Sequence, residues 1–262
     1  MSKPMHDLRC LSVRLCLAGV VAALLLSACS TTSKKSISNQ QNAAIANTQL
    51  GSAYMNQGNL ALAKDKLDRA LAQDPSNPEV HSVRGMLFDK MGMPKDADAE
   101  FRTALRLAPK DPNVINNYAV FLCQRGRADE GVKLFEEAAT NALYSTPEAA
   151  YTNAGVCLRS AKHDDQARAQ FVKALQIKPS FVDAVVQLVE LDMQHDNLPQ
   201  ARQLIDAYLT NFGENPDLLL LGVRVARAQK DQVGAQRYAR KLQMNYPGTD
   251  QQRALAELDH TG

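Results

Sequence analysis

Small, large apolar and helix-ending residues recur every 34 residues along most of the chain. The recurring types are two small residues, one large apolar residue and one proline: Gly51, Gly85 and Ala119; Ala63, Ala97 and Gly131; Leu67, Phe101 and Phe135; Pro75 and Pro109. The pattern resumes at Gly155 after a two-residue insertion and continues more weakly to Pro247. Small residues let two helices approach, and proline cannot continue a helix. Each period therefore predicts two antiparallel helices.

Residues that favour helix ends mark the boundaries of these periods. Glycines follow each of the first three first helices, where a left-handed cap is easiest for glycine: Gly58, Gly92 and Gly126. Four later first helices are preceded by a capping residue and begin with proline: Asn77-Pro78, Asp111-Pro112, Thr146-Pro147 and Asn215-Pro216. The boundaries predict six repeats: 44–77, 78–111, 112–147, 148–181, 182–215 and 216–249. A polar-faced helix should cap the array over 250–262.

This pattern resembles the tetratricopeptide repeat. The resemblance covers residues 44–249 and implies an all-α solenoid of six helix-turn-helix repeats in a right-handed superhelix, closed by a C-terminal capping helix. It is specific for the fold and says little about function.

The N-terminus has a basic start and then twelve uncharged residues from Leu15 to Leu26, too few to span a bilayer. The run Leu26-Ser27-Ala28-Cys29 resembles the lipobox of bacterial lipoproteins. That resemblance implies a signal peptide over 1–28 and an acylated Cys29, whereas the alternative is an ordinary secretory signal with an incidental cysteine. Ser30 replaces the aspartate of inner-membrane retention signals, so we expect an outer-membrane anchor facing the periplasm. The polar residues 29–43 predict a flexible tether.

Composition excludes several classes of function. Without residues 1–28 the chain carries 27 basic and 27 acidic side chains, so no cationic excess predicts nucleic-acid binding. No phosphate-binding loop, HExxH or GxSxG occurs. The remaining histidines are scattered, and we expect them to be solvated: His81, His163, His195 and His260. The sequence therefore predicts no catalytic residue, metal, cofactor or small-molecule substrate.

The concave wall is the expected binding surface. In this repeat family it is formed by the second, fifth, ninth and twelfth positions of each first helix, which suggests a peptide-binding groove with six principal residues: Ile45, Met55, Met86, Asn116, Val120 and Val156. The methionines and valines should form one continuous apolar strip. The alternative is that these side chains merely pack between neighbouring helices. Thr48 and Ser52 replace the lysine and asparagine of chaperone-binding members, which disfavours chaperone tails.

The lipobox, the six repeats and the run Asn116-Asn117-Tyr118-Ala119-Val120-Phe121-Leu122-Cys123 resemble the PilF/PilW family of type IV pilus lipoproteins. The resemblance implies a pilotin that binds secretin subunits, promotes their outer-membrane localisation and multimerisation, and so supports twitching motility. We expect the protein to be a monomer. An adaptor for peptidoglycan enzymes or another envelope complex is the alternative. Cys123 and Cys157 lie late on adjacent first helices, which predicts a disulfide; two buried free thiols are the alternative.

Overall fold

The computed structural model describes residues 38–261, with side chains through Leu258. The predicted signal peptide, the predicted lipidation site Cys29 and the tether as far as residue 37 lie outside the described residues. The described chain contains thirteen helices: α1 38–56, α2 Leu60–Gln73, α3 Pro78–Lys90, α4 Pro94–Leu107, α5 Pro112–Gln124, α6 Ala128–Ala139, α7 Pro147–Ser160, α8 Asp164–Ile177, α9 Val182–Gln194, α10 Leu198–Phe212, α11 Pro216–Ala228, α12 Gln232–Asn245 and α13 Asp250–Thr261. No strand occurs between residues 38 and 261.

The helices form six consecutive pairs followed by α13, so the predicted all-α tetratricopeptide-repeat fold with a capping helix is confirmed. One boundary differs from the prediction, because α1 already includes residues 38–43, which were assigned to the tether. Residues 38–42 are exposed. These polar residues therefore form roughly the first one and a half turns of α1, which are in contact with solvent. The helix then continues into the part whose one face is buried.

Side chains cap three of the four first helices that begin with proline. The side-chain oxygen of Asn77 accepts a hydrogen bond from the Glu79 backbone N–H, and Asp111 and Asn215 cap α5 and α11 in the same way. Thr146 makes no side-chain capping bond to α7. The Thr146-Pro147 pattern therefore predicted the start of α7 correctly, although the threonine side chain does not cap the helix.

The turn inside each repeat contains one residue with a left-handed backbone, and the type of residue at this position differs between the first three and the last three repeats. Glycine occupies this position in the first three repeats, with φ between 73° and 77° at Gly58, Gly92 and Gly126. The last three repeats place non-glycine residues there, with φ between 59° and 63°: Lys162, Asp196 and Lys230. A side chain in this conformation is strained by its Cβ, so the later turns form at some cost in stability.

The chain divides into two compact parts, residues up to Leu107 and residues from Ala108. The first part has an apolar core formed by Met55, Ala63, Leu67, Val83 and Leu87. In this part Gly85 lets α3 approach α4, because a Cβ there would lie 3.0 Å from the ring of Phe101.

The second part has several apolar clusters, each shared by successive helix pairs. One joins α5, α6 and α7 around Ala119, Phe135 and Ala154, and the largest centres on α11 and α12. None of the helices in the described range is long and apolar enough to cross a membrane.

Candidate functional site

How deeply a side chain of a first helix is buried depends on its position within the repeat. The ninth-position residues are partly or well exposed: Ser52, Met86, Val120 and Val156. Fifth-position residues are mostly buried: Thr48, Ser82 and Thr152. The second-position residue Ile45 is 40% exposed. The ninth and second positions therefore face outward, whereas the fifth turns toward the neighbouring helices.

Met55 was predicted to line the groove, and this prediction is wrong. Its side chain is 2% exposed and packs with Leu67, Val83 and Leu87 in the core of the first part. Met55 occupies the twelfth position of α1, which lies against the following first helix. It therefore fills the space between the two helices, in agreement with the alternative that these side chains pack between neighbouring helices. Met55 cannot contact a partner.

The second part contains an apolar cavity between α5 and α7. Its volume is about 170 Å³, and α6 contributes one ring to it. The lining residues are Val120, Cys123, Gln124, Phe135, Asn153, Val156, Cys157 and Ser160. Two predicted groove residues, Val120 and Val156, thus meet here. Typical small-molecule sites begin at about 300 Å³, so this cavity is sized for one apolar side chain of a partner.

The rim of this cavity is polar but uncharged. Gln124 and Ser160 are exposed, Asn153 is half-buried, and Val156 is 40% exposed above the floor. No lysine, arginine, aspartate or glutamate lines it. A charged group entering the cavity would lose its hydration without gaining a counterion. The cavity therefore favours an apolar anchor, with amide and hydroxyl groups available to a partner's backbone.

Cys123 of α5 and Cys157 of α7 are joined by a disulfide, with Cα atoms 5.6 Å apart. The bond lies in the wall of the cavity and ties two successive first helices together. It also explains why Gly131 replaces the alanines at this repeat position. A Cβ at residue 131 would lie 2.7 Å from the Cys123 sulfur and 3.0 Å from the Ala119 carbonyl oxygen. The glycine therefore provides the space that the disulfide occupies.

Asn116 lies one turn before Val120 on α5, on the same face of the helix. The residue is half-buried, and its side-chain oxygen is buried with no hydrogen-bond partner within residues 38–258. Asn116 does not line the cavity. The structure thus places this predicted groove residue beside the site rather than in it.

Charged residues approach the same surface only beyond the cavity. Arg159, one turn after the cavity residue Val156, donates hydrogen bonds from Nη1 to the side-chain oxygens of Gln187 at 2.6 Å and Glu190 at 3.2 Å. These contacts link α7 to α9. The guanidinium is therefore held by the following repeat and does not point its charge into the apolar cavity.

The first part contains a buried polar network that the sequence did not predict. His81 was expected to be solvated, but it is 9% exposed and lies between two acceptors. Its Nδ1 is 2.6 Å from a Glu100 carboxylate oxygen, and its Nε2 is 3.0 Å from the Pro75 carbonyl oxygen. Arg84 donates from Nε to Glu100 at 3.0 Å and also pairs with Asp68. No periodicity signals such a network, because its members come from three helices.

The network shifts the protonation of its members. The hydrogen bond to Glu100 raises the pKa of His81 above its ordinary value, against an opposing effect of burial. Burial raises the pKa of Glu100, but the hydrogen bonds from His81 and Arg84 outweigh it and leave that pKa lowered. The charged forms of both residues are therefore favoured, which is the behaviour of a structural ion pair.

Two further features of the described chain lie outside this cavity and this network. A second cavity, of about 400 Å³, lies along α12 and is lined by Arg227, Arg240 and three glutamines. No group of three or more histidine, cysteine, aspartate or glutamate side chains in the described range is arranged to hold a metal.

Comparison with known proteins identifies relatives of this chain. Models of the tetratricopeptide repeat match residues 48–112, 82–145 and 158–221. The type IV pilus assembly protein PilF of Pseudomonas aeruginosa is 32% identical over 201 residues, which cover 77% of this chain and 80% of PilF.

Two solved structures extend this likeness to the fold. The structure of Pseudomonas aeruginosa PilF has a TM-score of 0.64 at 31% identity and covers 84% of this chain and 99% of its own. The crystal structure of PilW, a widely conserved type IV pilus biogenesis factor, has a TM-score of 0.64 at 28% identity and covers 81% and 98%.

Proposed function

This chain belongs to the family of tetratricopeptide-repeat type IV pilus assembly proteins that contains PilF and PilW, and on that premise we propose that it is a pilotin. It is held in the outer membrane by a lipid on Cys29 and faces the periplasm. There it binds subunits of the type IV pilus secretin and promotes their localisation and multimerisation. It acts by binding and performs no catalysis.

The observation that carries the proposal is the apolar cavity between α5 and α7. It has an uncharged lining and a volume suited to one apolar side chain, and the disulfide holds its two walls together. A few buried apolar anchors supply most of the energy of peptide interfaces. A secretin segment that inserts one such side chain beside Val120 and Val156 would gain this energy, and the asparagine and glutamine amides would bond its backbone.

Tethering explains how binding promotes assembly. A lipid anchor confines the repeats to the membrane surface, which raises the local concentration of bound secretin subunits there. Cys29→Ala should leave the repeats folded, abolish membrane association and leave secretin subunits outside the outer membrane. Recovery of this variant in the outer-membrane fraction after a high-salt wash would show that the anchor is elsewhere.

A complemented deletion strain tests the pilotin proposal. Val156→Glu places a carboxylate in the cavity, whereas Val172→Glu changes a valine of nearly equal exposure on the second helix of the same repeat, 42% against 40%. We expect Val156→Glu to fail to restore heat-stable secretin multimers and twitching, and Val172→Glu to restore both. If both variants are as abundant as the wild-type protein and restore multimers and twitching equally, the cavity does not bind secretin.

The second candidate function is an adaptor for peptidoglycan enzymes, which an apolar peptide-binding cavity would also serve. The same deletion strain separates the two. Defects in cell shape with normal secretin multimers would favour the adaptor, whereas loss of multimers with normal shape favours the pilotin.

A further inference from the structure

The turns of the second part differ sharply in charge according to where they lie. Turns within repeats carry six charged side chains in twelve residues: 125–127, 161–163, 195–197 and 229–231. Turns between repeats, together with the turn before α5, carry four in 22 residues: 108–111, 140–146, 178–181, 213–215 and 246–249. Because paired helices run antiparallel, the two sets of turns lie at opposite ends of the helices. We call the second set, with the ends of the helices that precede it, the inter-repeat edge.

Hydrogen bonds link neighbouring parts of the inter-repeat edge. The side-chain amide of Asn141 donates to the Lys110 carbonyl at 2.9 Å. The Tyr208 hydroxyl donates to the Ser180 carbonyl at 3.2 Å, and the Tyr246 hydroxyl donates to the Glu214 carbonyl at 3.0 Å. Asn141 and Tyr246 lie in turns of the edge and Tyr208 lies near the end of α10, and each bonds to the preceding turn of the same edge.

Large apolar side chains are exposed along this edge in four successive repeats. Leu143 is 88% exposed, Ile177 48%, Phe212 47% and Met244 71%. They follow the repeat with spacings of 34, 35 and 32 residues. The Phe212 ring also lies 5.2 Å from the ring of Tyr208. The regular spacing shows that the exposure belongs to the edge as a whole.

The charged side chains in the turns of this edge are two basic and two acidic, and two lysines at the edge are paired with carboxylates. Lys178 lies 3.2 Å from a carboxylate oxygen of Glu148, and Lys241 lies 3.0 Å from one of Glu214. The edge thus combines exposed aliphatic and aromatic groups, tyrosines with polar ends and little net charge. Such groups partition into the boundary between lipid headgroups and acyl chains, where isolated charges would be costly.

We propose that the inter-repeat edge of the second part lies on the membrane surface, with Leu143, Ile177, Phe212 and Met244 inserted among the lipid headgroups. This inference rests on the membrane anchoring proposed above and is independent of the secretin partner. It assigns an orientation: the charged turns within the repeats face away from the lipid. The cavity between α5 and α7 is lined by Gln124 and Ser160, the last residues of these helices, and therefore lies toward the same side, away from the lipid.

The absence of tryptophan from the sequence permits a direct test. Single tryptophans replace Leu143 or Phe212 on the proposed edge, and Val233, which is 80% exposed at the start of α12, serves as the matched control at the opposite edge. The full lipid-anchored chain is reconstituted into phosphatidylethanolamine and phosphatidylglycerol vesicles, with ordinary or brominated acyl chains. Flotation measures membrane association, and bromine quenching reports depth.

Leu143→Trp and Phe212→Trp should shift to shorter emission wavelength and lose at least about half of their fluorescence to brominated lipid, as expected for rings roughly 5–10 Å deep. Val233→Trp should lose less than about a tenth of its fluorescence, since it would remain in water. A further variant, Ile177→Trp combined with Leu143→Glu and Phe212→Glu, should lose most of the quenching seen for Ile177→Trp alone.

Two outcomes overturn the proposal and differ from each other. If every variant floats with the vesicles but the tryptophans at positions 143, 212 and 233 are quenched equally or not at all, the edge does not face lipid. If no variant floats, the membrane anchoring itself fails. Neither result depends on secretin, so the proposed partner is tested separately.

Discussion

The first helices of neighbouring repeats are joined differently in the two parts of the molecule. In the first part the space between α1 and α3 is filled by Met55, which packs against Val83 and Leu87. In the second part α5 and α7 are tied by the Cys123–Cys157 disulfide and leave a cavity of about 170 Å³. We call the contact between α1 and α3 the filled seam and the contact between α5 and α7 the open seam. The filled seam is stable without a partner, whereas the open seam has an apolar surface that only a partner can bury. This difference is the reason we propose the second part as the binding region.

The largest expected effect comes from charging the filled seam. Met55→Glu buries a carboxylate among the apolar side chains of Val83 and Leu87, which should lower the free energy of unfolding by about 4 kcal/mol or more. Val156→Glu, at the open seam, should lower it by less than about 1 kcal/mol, because the side chain is partly solvated. Urea denaturation followed by circular dichroism measures both. Similar losses in the two variants would remove the distinction between the seams.

Removing the covalent tie should have the next largest effect. Cys123→Ala with Cys157→Ala should cost about 3–4 kcal/mol in the chain-entropy model for a loop of this length. The same denaturation experiment with and without reductant measures the loss. Thiol titration of the unfolded, unreduced protein should find neither Cys123 nor Cys157 free. Two free thiols at these positions would contradict the disulfide.

The polar network beside the filled seam predicts a pH dependence. The raised pKa of His81 means that its contribution to stability is complete below its ordinary value of 6.5 and is lost as pH rises through the raised value. His81→Gln should therefore destabilise by about 1–2 kcal/mol more near pH 5.5 than near pH 8.5. The control His195→Gln changes a side chain that is 47% exposed. A His81 effect independent of pH would show that its proton plays no part.

The smallest expected effect concerns the turns. Lys162→Gly and Lys230→Gly introduce into the later repeats the residue that the first three use, and each should raise stability by up to about 1 kcal/mol because the left-handed backbone is unstrained in glycine. Gly92→Lys should show the opposite change. The midpoint of thermal unfolding measures all three. Destabilisation by the new glycines would mean that the lysine side chains make compensating contacts.

The repeat period predicted the fold closely because each recurring residue has a local physical reason. Gly85 permits the approach of Phe101, and Asn77 caps α3. The period predicted the site less completely. Position in the repeat gave the face on which Met55 lies but not its depth, which depends on the sizes of Val83 and Leu87 in the next repeat.

Features that depend on contacts between different helices could not be predicted from the sequence pattern. The His81 network combines residues from α2, α3 and α4 with the carbonyl of Pro75. The requirement for Gly131 becomes visible only when the disulfide sulfur is placed beside it. Both depend on contacts between helices, which a 34-residue period does not encode.

The central claim is that secretin inserts into the seam between α5 and α7, and site-specific photo-crosslinking in cells tests it most directly. A photoreactive phenylalanine analogue replaces Val156 at the cavity or Val172 on α8, two valines of nearly equal exposure. The account predicts that irradiation links secretin to position 156 and not to position 172, with both proteins equally abundant. Crosslinks to secretin at 172 alone, or equally at both positions, would contradict it.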